Sequence, residues 1–77
     1  MRTSTAVQIV MDRTGDTRYQ FSSNDTKALA DAERRFQQLT GAGFTAATRT
    51  SSGELSIMRA FDPTAKETVF FPRLVGG

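Results

Sequence analysis

Residues 6–12, AVQIVMD, alternate, with Val7, Ile9 and Met11 on one face and Gln8 opposite, the period of two expected of a β-strand. Residues 17–22, TRYQFS, alternate more cleanly. Thr17, Tyr19 and Phe21 face one way, and Arg18, Gln20 and Ser22 face the other. Arg13-Thr14-Gly15-Asp16 lies between them, a short link with the glycine that a tight hairpin turn needs. The pattern predicts an opening β-hairpin.

The period then changes. Ser22-Ser23-Asn24-Asp25 is a cluster of residues whose side chains cap helix N-termini. After it Ala28, Leu29, Ala32, Phe36 and Leu39 recur at three- and four-residue steps and make one apolar stripe. Lys27, Asp31, Arg34, Arg35 and Gln38 fall on the other side. Gly41 and Gly43 stop the pattern, since glycine accepts the left-handed geometry that ends helices. This predicts one helix of about 15 residues.

The last third is strand-like again. Residues 44–50, FTAATRT, and 55–61, LSIMRAF, flank a turn at Ser51-Ser52-Gly53-Glu54. Asp62-Pro63-Thr64-Ala65-Lys66-Glu67 is a second connector, because the residue before a proline is driven out of the helical region. Thr68-Val69-Phe70-Phe71 is a final short strand, with Pro72 at its end because proline donates nothing to a ladder. Phe70 and Phe71 point to opposite faces, so at least one belongs to the core. The order is β-β-α-β-β-β plus a tail. A lone helix buries its stripe only against a sheet, and the sheet needs the helix in return. The last strand should return beside the first, in parallel, to complete a mixed sheet around the helix. This is an α+β roll of the β-grasp plan, one domain over 1–72 with a flexible tail over 73–77.

Composition narrows the chemistry. At 77 residues and 8.4 kDa there is room for one small domain, near the lower limit for a self-sufficient core. With 38% hydrophobic and 23% charged residues the chain has the make-up of a folded protein. It has no cysteine, and so neither a disulfide framework nor thiolate chemistry. It has no histidine, the commonest general base and metal ligand. The nucleophile–base pairings of a self-contained enzyme are missing, and a non-enzymatic protein with no bound cofactor or metal is expected. The apolar runs fall far short of the ~20 residues that span a bilayer. The N-terminus lacks a signal-peptide pattern, so a cytoplasmic protein without membrane contact is expected. The net charge is +2, and the arginines are scattered rather than blocked, which steers partners weakly.

The tail, Val69-Phe70-Phe71-Pro72-Arg73-Leu74-Val75-Gly76-Gly77, resembles the C-terminus of the small subunit of molybdopterin synthase. That sulfur-carrier family ends in a valine-rich strand, a Phe-Phe-Pro-Pro run, two small apolar residues and Gly-Gly. Arg73-Leu74-Val75-Gly76-Gly77 also resembles the Arg-Leu-Arg-Gly-Gly end of ubiquitin. Both families have the β-grasp fold. The close match covers these nine residues, and the rest of the chain shares only element order; Phe61-Asp62-Pro63 adds a fainter likeness to the sulfur carrier. Arg73 replaces the second proline of the carrier pattern, and Val75 replaces the second arginine of ubiquitin, so the tail stands between the two branches.

The resemblance implies a carrier or modifier whose reactive group is the Gly77 carboxylate, with Gly76 beside it. A partner adenylating enzyme of the ubiquitin-activating type would join that carboxylate to the α-phosphate of ATP, using magnesium in its own site. Attack by sulfur or by an amine would follow, on a sulfur acceptor or a protein target. Phe71, Pro72, Arg73, Leu74 and Val75 would then contact the partner. Six residues beyond Phe71 reach roughly 20 Å when extended, enough to enter a buried site. Glycines without Cβ atoms fit a narrow tunnel, and Pro72 stiffens the tail's departure.

Plainer readings stand beside these. Gly76-Gly77 is also what a frayed end looks like. Arg73 and Leu74 read equally as a docking pair or as solvated tail residues. Asp12 and Asp16 flank a turn, and two carboxylates alone make a poor cation site. Lys27 and Lys66 are isolated surface lysines. Arg18, Arg49 and Arg59 lie on predicted strands; on one solvent face, with Tyr19 or a phenylalanine as a stacking platform, they would make a small binding module for RNA or protein. Nucleic acid is the less expected partner.

Overall fold

The computed structural model describes residues 5–50 and 52–72. The elements follow the expected order: β1 Thr5–Asp12, β2 Gly15–Ser22, α1 Thr26–Gly41, β3 Phe44–Arg49, β4 Leu55–Met58 and β5 Glu67–Pro72. The five strands form one sheet in the order β2-β1-β5-β3-β4. β1 and β5 run parallel at its centre, and the other pairs are antiparallel. One helix on a mixed five-stranded sheet is the two-layer α+β arrangement that the apolar pattern requires.

Local chemistry sets the ends of the elements. In the first hairpin the Asp12 carboxylate accepts from the Thr14 amide at 2.8 Å and from the Thr14 hydroxyl at 2.6 Å. The loop is Arg13-Thr14 alone. Gly15 opens β2 at φ 126°, a backbone angle that disfavours a side chain, and Asp16 lies within the strand rather than the turn. Asp25 caps the helix, its carboxylate accepting from the Lys27 amide at 3.0 Å and the Ala28 amide at 3.4 Å. At the other end the Ala42 amide donates back to Gln38 and Leu39, and Gly43 turns the chain at φ 104°.

The core lies between helix and sheet. Val10, Phe36, Ala46 and Phe70 form its centre, with Leu39, Phe44, Met58 and Phe61 packed around them. Phe36 meets Phe70 edge-on at 5.8 Å between centroids and Phe61 at 6.0 Å. The helical stripe behaves as expected: Ala32 and Phe36 are buried, and Ala28, Leu29 and Leu39 are half-buried.

Alternation along β1 leaves open which side faces the helix. It is the side of Ala6, Gln8 and Val10, and Gln8 is 1% exposed. The wholly polar position of the strand therefore points into the protein, because its amide finds partners there. Gln8 Nε2 donates to the Ala32 carbonyl at 3.0 Å, and Gln8 Oε1 accepts from Arg35 Nη1 at 2.7 Å. Arg35, expected on the solvent side of the helix, instead lies with its guanidinium 4.0 Å from the Tyr19 ring centroid. Three residues past Ala32 and four before Leu39, Arg35 flanks the apolar stripe rather than opposing it, and its long stem carries the charge to the sheet edge. β4 also departs from expectation, ending at Met58 rather than continuing to residue 61. Continued alternation would place Phe61 on the opposite face from Met58. A bend at Arg59 and Ala60 returns it to the core side, against Phe36.

Candidate functional site

The sheet has a second face, away from the helix. Strand registers assign it residue by residue. Ile9, Val69 and Ala47 lie abreast across β1, β5 and β3, with Ile57 beyond on β4. One step toward the end of β5 come Met11, Phe71 and Thr45; one step the other way come Val7, Glu67, Arg49 and Leu55. Ile9, Val69 and Ala47 are buried, whereas Met11, Leu55 and Ile57 are 41%, 53% and 60% exposed. The face is thus apolar along its middle, with large side chains open to solvent at both ends.

The end of β5 belongs to this face. Phe70 is fully buried on the helix side, and Phe71 is half-buried on the outer side, beside Thr45. Pro72 is exposed and closes the strand opposite Phe44. The missing amide of a proline costs least at a strand's last position, so β5 runs one residue past Phe71. Of the expected site residues, Phe71 and Pro72 are therefore adjacent at the point where the tail departs. Arg73, Leu74, Val75, Gly76 and Gly77 lie outside the described residues.

The three arginines do not converge. Arg18 and Arg49 share the outer face but stand three strands apart, about 14 Å at ordinary strand spacing. Arg49 is engaged locally, with its Nε 3.3 Å from Glu67 Oε1 and its Nη1 donating to the Gly53 carbonyl at 3.1 Å. Arg59 is in the bend after β4. Tyr19 is on the helix-side face with Gln8, opposite to Arg18, so it offers no platform to that arginine. Aliphatic side chains fill the space between Arg18 and Arg49. The arginines therefore form no continuous basic patch on this face.

Elsewhere the chemistry is structural. Thr64 repeats the Thr14 motif, donating its amide and hydroxyl to Asp62 at 2.9 and 2.6 Å. In both places the threonine hydroxyl first, and then its amide, holds the carboxyl below its ordinary value of 3.8. Asp12 thus serves the turn, and no group of three or more potential metal ligands occurs among the described residues. Shallow depressions flank Phe61 where α1 meets the 59–63 segment, but they gather no set of catalytic side chains. No helix among the described residues is long and apolar enough to cross a membrane.

Sequence reasoning missed the Gln8–Arg35–Tyr19 contact. A glutamine at the centre of an apolar strand was its available signal. It also missed the outer apolar face as a unit, because that face is assembled from four strands.

Comparison with known proteins finds no matching family model, no matching curated protein and no matching solved structure.

Proposed function

We propose that this chain is a ubiquitin-like β-grasp protein, a modifier or sulfur carrier, whose Gly77 carboxylate is adenylated by a partner enzyme. The observation that carries the reading is the position of β5. It is a central strand beside β1 and in parallel with it, and it ends at Pro72, immediately before the segment that resembles the diglycine tails. A tail launched from a central strand is anchored by hydrogen bonds on both sides, so a pull on it is borne by the whole sheet.

In this reading the chain supplies an acyl group and its delivery. The partner supplies ATP, magnesium and the charge stabilisation for adenylation. The Met11 and Phe71 end of the outer face lies at the root of the tail and gives the enzyme an apolar surface to grip. Arg73, Leu74 and Val75 would line the entrance to its site, and Gly76 and Gly77 would pass the narrowest part. Sulfur or an amine then displaces the adenylate, and the identity of that nucleophile belongs to the partner.

ATP–pyrophosphate exchange by an adenylating enzyme from the same cell tests the reading. Exchange that depends on this protein, and is lost when Gly76 and Gly77 are deleted, is the expected result. Unchanged exchange without the two glycines would sink it. Mass analysis of the C-terminal peptide from native cells then separates the branches. Sulfur in place of one carboxylate oxygen marks the carrier, and a diglycine remnant on another protein's lysine marks the modifier.

A further inference from the structure

The β2 edge carries an inference independent of the tail. β2 forms one border of the sheet and is exposed at every position from Gly15 to Gln20. The Val7 amide donates to Lys66 on the β5 side at 2.9 Å, so alternate residues of β1, Gln8 and Val10 among them, direct their backbone groups to β2. Their partners Tyr19 and Thr17 are thereby used. Asp16, Arg18 and Gln20 point their amides and carbonyls away from the sheet. Edges are ordinarily guarded by shortness, proline, charged side chains or a bulge. The opposite border, β4, is guarded by having only 4 residues. β2 has 8 residues, an unbroken register and no proline, and its two charges, Asp16 and Arg18, are opposite in sign, so they repel a second strand in some registers and attract it in others.

We propose that β2 pairs antiparallel with β2 of a second copy, about a two-fold axis through Thr17. An axis through a residue keeps like faces together, and side-chain chemistry selects among such axes. Through Arg18, it sets that arginine against itself. Through Tyr19, it brings together two rings that each carry an Arg35 guanidinium at 4.0 Å. It also needs Ser22, whose carbonyl already accepts from the Asp25 amide. Through Thr17, Asp16 of each copy faces Arg18 of the other on the outer face, giving two ion pairs. Tyr19 of each copy faces Gly15 of the other on the helix side, where nothing lies within 4 Å of the missing Cβ. A ring over a strand glycine is a favourable pairing. The contact is much smaller than a standard interface, so the dimer is concentration-dependent.

Sedimentation equilibrium on the whole chain tests this, with circular dichroism to check folding. Asp16→Arg and Arg18→Asp should each weaken the dimer about tenfold, since like charges then face each other twice. The double variant, with the charges exchanged, should restore it. A monomer at every concentration, a double variant no better than the singles, or tighter association of Arg18→Ser would each overturn the proposal. None of these readouts involves adenylation, so failure here leaves the carrier reading standing.

Discussion

Gln8 ties the two layers together through a single amide. It holds the Ala32 carbonyl on one side and the Arg35 guanidinium on the other, and Arg35 in turn lies over Tyr19. A buried polar group without partners is costly, whereas this one is satisfied at both ends. Gln8→Leu should destabilise by about 1–2 kcal/mol, because the charged hydrogen bond is lost while the volume is kept. Arg35→Met should cost less when Gln8→Leu is already in place than in the native protein, with a coupling of about 1 kcal/mol in a urea double-mutant cycle. The threonine-bound carboxylates make a different prediction. The folded-state pKa values of Asp12 and Asp62 lie below 3.8. Their contribution is therefore complete above the unfolded value and is lost as pH falls through the lowered folded value. Asp12→Asn with Asp62→Asn should flatten the acid limb of a plot of urea midpoint against pH, leaving its neutral slope unchanged.

At the scale of elements, the helix is specified at its start by Asp25 and at its end by the turn at Gly43. Asp25→Ala should cost about 1 kcal/mol in urea denaturation, and Asp25→Gly only a few tenths, because glycine also suits the cap geometry. Hairpin β3–β4 is held by Arg49, which bonds Gly53 in its loop and pairs with Glu67 on β5. That ion pair is half-exposed, so its loss should be nearly silent at moderate salt. β4 itself contributes little apolar burial, since Leu55 and Ile57 are mostly open to solvent. It is the strand expected to exchange its amide hydrogens first.

At the scale of the molecule, β5 joins core and candidate site, and its two phenylalanines separate them. Phe70 is fully buried against Phe36. Phe70→Ala should cost about 3–5 kcal/mol, a large part of the stability of so small a domain. Phe71→Ala, on the outer face, should leave the thermal midpoint within a few degrees of native and weaken adenylation by the partner enzyme. Equal losses of stability for the two variants would show that the outer face serves packing alone. The central place of β5 also gives the fold long-range contacts: its parallel pairing with β1 closes almost the whole chain. Such closure is entropically expensive and is expected to come late in folding.

The order β-β-α-β-β-β, the helix from its cap to its glycine stop, the two hairpins and the parallel return of the last strand were all legible in the residues. Each rests on local periodicity or turn chemistry, or on the need of a single helix to cover one sheet. The diglycine tail is a likeness that the residues carry by themselves, and it lies outside the described residues. What the residues in order did not reveal was which side of β1 faces the helix. Alternation places Gln8 opposite Val7 and Ile9 but says nothing about which set is inside, and both faces of a central strand are buried. The answer came from partners distant in sequence, Ala32 and Arg35, that satisfy the glutamine. The same cause hid the bend that turns Phe61 into the core, the separation of the three arginines and the apolar face shared by four strands. Periodicity is a property of neighbours along the chain, whereas partners and faces are set by strand register, which only the tertiary structure decides.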